Sequence, residues 1–264
     1  MSKGNGSAAE ALPAEMAIRL KDVCVAYRSY RERPTSLKES IVRFLREGKF
    51  SHFSTFNALK NLSLEVQRGS VFGIIGGNGS GKSTLLKVIS KVLKPIRGSV
   101  QTDGTIASLI ELGAGFDPEL NAVENLYLNG SLHKRSAAEI KERIPEIIEF
   151  AELHEFATTP IKYYSSGMYA RLGFSAAIDI NPDILLVDEI LAVGDERFQN
   201  KCHKVFEQFI RSGKTLVIVS HSLDMLSKTA TQMALMSRGE VTFVGDPAIA
   251  VNLYRDPQYQ SALG

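Results

Sequence analysis

The residues Gly76-Gly77-Asn78-Gly79-Ser80-Gly81-Lys82-Ser83 fit the spacing G-x-x-x-x-G-K-[ST]. Glycines at these positions let the backbone fold tightly with its N–H groups aimed inward, a concavity suited to phosphate oxygens. A helix starting at Lys82, Ser83 and Thr84 would add the partial positive charge of its N-terminus. In such a loop Lys82 reaches the β- and γ-phosphates and the Ser83 hydroxyl ligates Mg²⁺. A second constellation follows 106 residues after Lys82, where Ile184-Leu185-Leu186-Val187 runs straight into Asp188-Glu189. A buried strand would deliver both carboxylates to its C-terminal end, where ligands sit in open α/β sheets. Asp188 is placed to hold Mg²⁺ through its water shell, and Glu189 to polarise an attacking water. His221 follows a further apolar run, Leu216–Val219, with Ser220 between. That is the place for a side chain sensing a γ-phosphate. Together these residues imply phosphoryl transfer from ATP to water.

Such a site needs elements that carry its parts to one edge. Ala17–Ala26 alternates as a strand does, and Leu62–Val66 and Val71–Ile75 read as strands around a turn at Gly69. Ser83–Leu93 reads as a helix stopped by Pro95 and Gly98. Ser99–Ile110 reads as strand around Asp103-Gly104. Ala122–Leu153 is predicted mostly helical, with a capping box from Ser136 to Glu139 and a break at Pro145. Ser166–Ile178 and Arg197–Phe209 are predicted helices, Asp183–Val187 and Thr215–Ser220 short buried strands. Met233–Val244 suggests a hairpin turning at Arg238-Gly239. Apolar strands alternating with helices predict an open α/β sheet covered on both faces, with a helical lobe at about residues 113–180 inserted into it. Residues 28–54 read as a basic helical insert. Ser36 to Glu39 is a second capping box, and Leu37, Ile41, Phe44 and Leu45 make a stripe. From Arg28 to Lys49 there are seven Lys/Arg against three Glu.

The chain has 264 residues, a net charge of +2 and two cysteines, Cys24 and Cys202. So mild a charge gives no reason to invoke bulk nucleic-acid binding. The cysteines form no motif, and reduced thiols are expected. No run approaches the ~20 apolar residues of a membrane-spanning helix. The first residues lack the apolar core of a signal peptide, and residues 1–16 read as a flexible tail. A soluble intracellular protein is expected, peripheral if it works at a membrane.

Tyr164-Ser165-Ser166-Gly167-Met168, followed by a helix, resembles the signature sequence of the ABC ATPase family, commonly Leu-Ser-Gly-Gly-Gln. It lies after the phosphate loop and before Asp188, in the family's order. The resemblance covers nearly the whole chain after Ala17. It implies a P-loop NTPase (RecA-like) α/β core with an antiparallel β subdomain and an inserted α-helical subdomain. It also implies ATP and Mg²⁺ as cofactors. In that family two subunits sandwich two ATP molecules, and the signature serine and glycine of one subunit close on the γ-phosphate held by the other. Carried over here, Ser165, Ser166 and Gly167 would present a second helix N-terminus to the same anion. Asp195, after Leu191-Ala192-Val193-Gly194, resembles the aspartate of the dimer-contacting loop. Tyr27 sits where the family places an adenine-stacking aromatic, though a core tyrosine has the same look. The departures are Met168 for glutamine and Tyr164 for leucine. The family's lone loop glutamine is missing from Leu109–Phe116, and Glu111 is the substitute and a candidate Mg²⁺ contact.

The finer resemblance is to the ATPase subunits of bacterial polysaccharide exporters of the O-antigen and teichoic acid type. It rests on Glu111–Phe116, Tyr163–Met168 and Asp188–Asp195. It implies a homodimer at the cytoplasmic face of the inner membrane, permease partners and lipid-linked polysaccharide as cargo. The basic helix Leu37–Glu47 is expected to lie near the membrane or to pack on its own lobe. Some members carry a further C-terminal carbohydrate-binding domain. This chain ends at Gly264, so it is either of the shorter kind or shortened. The alternatives are the ATPase of a different transporter, or a soluble ABC ATPase acting on DNA or ribosomes. The lack of sustained heptads between Lys82 and Asp188, and of a second cassette, speaks against the soluble kind.

Overall fold

A computed structural model describes residues 12–30, 53–110, 112–188, 195–220 and 222–263. The predicted basic helix, Glu111, Glu189 and His221 lie outside the described residues.

Two sheets form the frame. Strands β1 (Met16–Tyr30), β2 (Phe53–Gln67) and β4 (Arg97–Thr102) make an antiparallel sheet in the order β2-β1-β4. Strands β3 (Val71–Gly76), β5 (Ile106–Ser108), β6 (Ile184–Asp188), β7 (Thr215–Val219), β8 (Gln232–Ser237) and β9 (Glu240–Gly245) make the second. Its order is β5-β6-β7-β3-β8-β9, parallel except for the β8–β9 pair. β3 and β7 are buried at every position, as a parallel strand covered on both faces must be.

The Gly69 turn therefore passes from one sheet to the other instead of closing a hairpin, and so does the Asp103-Gly104 turn. The Arg238-Gly239 turn does close one: both residues have positive φ, 48° and 85°, as a tight hairpin requires. Glu15 is already tied in place, its carbonyl accepting the Arg68 N–H at 2.8 Å.

Apolar residues fill three cores. One lies between the sheets and takes in Leu85, Leu86 and Ile89 of helix α1 (Lys82–Ile89). A second lies on the other face of the mixed sheet, under helix α5 (Glu196–Arg211), helix α6 (Leu223–Thr229) and helix α7 (Pro247–Arg255). Helix α8 (Pro257–Leu263) follows. The third belongs to helices α2 (Ala122–Leu132), α3 (Ala137–Ala151) and α4 (Ser166–Asp179).

Both ends of the capping box at α3 are made: Ser136 Oγ accepts from Glu139 N–H at 3.3 Å, and Glu139 accepts from Ser136 N–H at 2.7 Å. Asn121 and Glu124 make the same box at α2. The expected break at Pro145 does not occur, and α3 runs through it. Proline removes one hydrogen bond, but Ile140 before it and Ile147, Ile148 and Ala151 after it are buried on one face and hold the helix together.

Candidate functional site

The site grows from the end of β3. Gly76 closes that strand, and a side chain there would meet the Met236 carbonyl oxygen at 2.3 Å. Gly81 has φ of 105°, and a Cβ on it would lie 2.7 Å from the Ala58 carbonyl oxygen. Around Gly77 and Gly79 the space is open. The loop is thus pressed against the protein at its ends and free at its crown, where Asn78 also lies. Lys82 bends back across it, donating to the carbonyls of Gly76 at 2.8 Å and Gly77 at 3.0 Å. Ser83 and Thr84 follow in the first turn of α1.

The second constellation arrives from two strands away. Val219 of β7 pairs with both Ile74 of β3 and Asp188 of β6, so β6 and β7 end level and β3 runs two residues further, to Gly76. The Ser83 hydroxyl donates to Asp188 Oδ2 at 3.2 Å. Neighbouring hydroxyl and carboxylate oxygens are the hard donors that Mg²⁺ takes; of the three residues predicted for the metal, Ser83 and Asp188 come together and Glu111 lies outside the described residues. A cleft of about 390 Å³ opens beside them, lined among others by Asn78, Gly79, Lys82, Thr84 and Asp188. Tyr27 lines it too and is 42% exposed, so it is not a core tyrosine.

Two contributors were not foreseen. Phe56, the cross-strand partner of Tyr27, lines the same cleft. Gly239 donates its N–H to the Ser80 carbonyl at 2.9 Å and props the loop from behind. The hairpin turn was legible as a turn, but nothing local to it points at the phosphate loop.

The signature residues stand apart. Ser165 caps α4, its hydroxyl accepting from Met168 N–H at 3.2 Å. Ser165 and Ser166 are exposed, and neither they nor Gly167 line the cleft that holds Lys82. Asp195 caps α5 by accepting from Phe198 N–H at 2.9 Å and pairs with Arg171 of α4 at 2.8 Å. The Phe198 N–H, and then Arg171, hold the Asp195 carboxyl below its usual range. Arg171 also donates to Glu152 at 3.1 Å, and its guanidinium lies 5.2 Å from the Phe198 ring centre. Within the stretch that lacks the glutamine, the Gly113 carbonyl accepts from the Tyr169 hydroxyl at 3.2 Å. A Cβ on Gly173 would lie 2.8 Å from Gly113 N, so loop and signature helix are in contact. Both cysteines are free thiols. Burial pushes the Cys202 thiol up to about 12, which leaves it unreactive. Among the described residues no helix is long and apolar enough to cross a membrane.

Known proteins share this arrangement. The ABC transporter family model matches residues 59–192. The O-antigen export system ATP-binding protein RfbB of Myxococcus xanthus is 43% identical over 249 residues, which cover 93% of this chain and 57% of that protein. The protein of the same name from Klebsiella pneumoniae is 38% identical, with 91% of this chain and 98% of that protein covered. The chain therefore spans little more than half of the first relative and nearly all of the second. Among solved structures, a dimeric ATP-binding cassette in a post-hydrolysis state with ADP and Pi is 25% identical. It has a TM-score of 0.67 and covers 87% of this chain and 98% of that one. Matched in fold, in the order of its motifs and across half its length by the family model, the chain belongs to the ABC transporter family and folds as one of its ATP-binding cassettes.

Proposed function

We propose that this chain hydrolyses ATP to drive a separate membrane permease that moves lipid-linked polysaccharide, of the O-antigen or teichoic acid type, across the cytoplasmic membrane. The observation that carries the ATPase reading is the 3.2 Å hydrogen bond between Ser83 and Asp188 at the mouth of the phosphate loop. It joins two motifs far apart in sequence at the one place where a nucleotide's metal would sit. The cargo rests on the similarity to O-antigen exporters.

Each residue then has a task. The N–H groups of Gly77–Ser83 and the Lys82 ammonium bind the phosphates and offset the charge of the transferring group. Ser83 and Asp188 hold Mg²⁺, with Glu111 as a further contact, and the ion when bound neutralises the phosphate oxygens. Glu189 orients the attacking water, and His221 contacts the γ-phosphate. Tyr27 stacks on the base. Ser165, Ser166 and Gly167 of a second copy close over the same phosphates, with Asp195 at the contact between copies. The unit comprises residues 17–264, with the helical lobe at about 113–180 and a basic insert between β1 and β2; its expected bounds of 28–54 are too wide, because 28–30 and 53–54 pair as strand. It sits on the cytoplasmic face of the membrane, without nucleic acid.

The test is affinity purification of the tagged chain from mildly solubilised membranes, with mass spectrometry and an ATPase assay of the product. A stoichiometric multi-span protein with lipid-linked glycan is expected. Mg²⁺-dependent turnover should fall at least 100-fold in Ser83→Ala and in Asp188→Asn, the scale set by losing a group that stabilises transferring charge. A different permease overturns the cargo. Recovery with ribosomes or DNA alone overturns the transport reading.

A further inference from the structure

We propose that Phe56 is a nucleobase-binding residue, forming with Tyr27 a two-ring platform for the base of the bound nucleotide. The inference rests on the nucleotide reading above and adds a residue to it. Phe56 of β2 and Tyr27 of β1 are direct cross-strand partners. Opposite residues of an antiparallel pair project to the same face with Cβ atoms ~5 Å apart. Both rings line the cleft that Lys82, Ser83 and Asp188 also line.

Phe56 is 59% exposed. An aromatic ring on a strand normally gains by burial, and the neighbouring Ala58 and Leu59 are 4% and 1% exposed. The ring is thus left uncovered where the same strand could have buried it. Its height along the strand is set by Ala58, whose carbonyl oxygen abuts Gly81 at the base of the phosphate loop. Two residues of strand place Phe56 about 7 Å from that contact, one sugar away from the phosphates. An uncovered ring at that place offers a base a π-face. Stacking is tolerant of base identity because every base has such a face. The platform therefore adds affinity without selecting adenine over guanine.

The experiment is calorimetric titration of the full chain with ATP, GTP and inorganic tripolyphosphate. Phe56→Ala is expected to weaken ATP and GTP about tenfold each, the scale of losing one stacked ring, and to leave tripolyphosphate unchanged. Phe56→Leu keeps the apolar bulk without a π-face and should lose a similar factor. Phe56→Trp should bind as tightly as the wild type. Wild-type ATP affinity in Phe56→Ala and Phe56→Leu overturns the platform, and so do equal losses for ATP and tripolyphosphate. A wild-type chain that binds none of the three ligands overturns the nucleotide reading itself, and this inference with it.

Discussion

Gly81 shows what one residue decides. Its φ of 105° lies in the left-handed half of backbone space, and the Ala58 carbonyl stands where a side chain would begin. Gly81→Ala therefore meets strain and a clash together. It should lower stability by about 1–3 kcal/mol and abolish ATP binding by moving Lys82, as denaturant melts and calorimetry would show. At this scale the sequence is most readable where function is local. Gly76–Ser83 declares itself because one short loop supplies the whole cradle. Asp188 is readable because the apolar run before it can only be a buried strand. Phe56 and Gly239 were not readable. Each gains its role from a partner brought near by strand register, Tyr27 in one case and Ser80 in the other. Tyr27 was half legible, because its sequence position does not say whether its ring faces the core or the cleft.

Among elements, the joint between the helical lobe and the core turns on Arg171. From α4 it reaches Glu152, the residue that ends α3, and Asp195, the residue that starts α5. Lys201 of α5 reaches Glu152 as well. Arg171→Ala should cost about 1–2 kcal/mol and loosen α4 from α5, seen as faster amide exchange at both helix starts. The joint is also acid-sensitive, with a definite sign. Lys201 first, with Arg197 and Arg171 adding to it, holds the Glu152 carboxyl below its usual range, as the Phe198 N–H and Arg171 do for Asp195. Depressed carboxylates lend stability that is fully present above their unfolded values. It is withdrawn as pH falls through the depressed ones. The acid limb of the Arg171→Ala stability curve should therefore be shallower than that of the wild type. None of these pairings could be read from the sequence, though the helices themselves could. The Pro145 error has the same origin, because local chemistry predicts a break and burial of Ile147 and Ile148 overrides it.

For the whole molecule, the signature serines are exposed but do not line the cleft beside the phosphate loop. On the proposed function, a second copy brings its signature serines to the nucleotide. Glu189→Gln with ATP and Mg²⁺ should therefore run as a dimer by light scattering, and as a monomer without nucleotide. The alternation of strands and helices gave away the open sheet, but its order did not. Which turn stays within a sheet and which crosses between sheets depends on pairings that short strands leave unspecified. That order has a consequence for how the molecule comes into being. β3 leaves the ribosome early, yet its neighbours are β7 and β8, and the Ser80 carbonyl waits for the N–H of Gly239 in the β8–β9 turn. A nascent chain that has made only its phosphate loop lacks the strands that flank β3 and the turn that props the loop. On the proposed function, full support of the nucleotide waits until the β8–β9 turn has emerged.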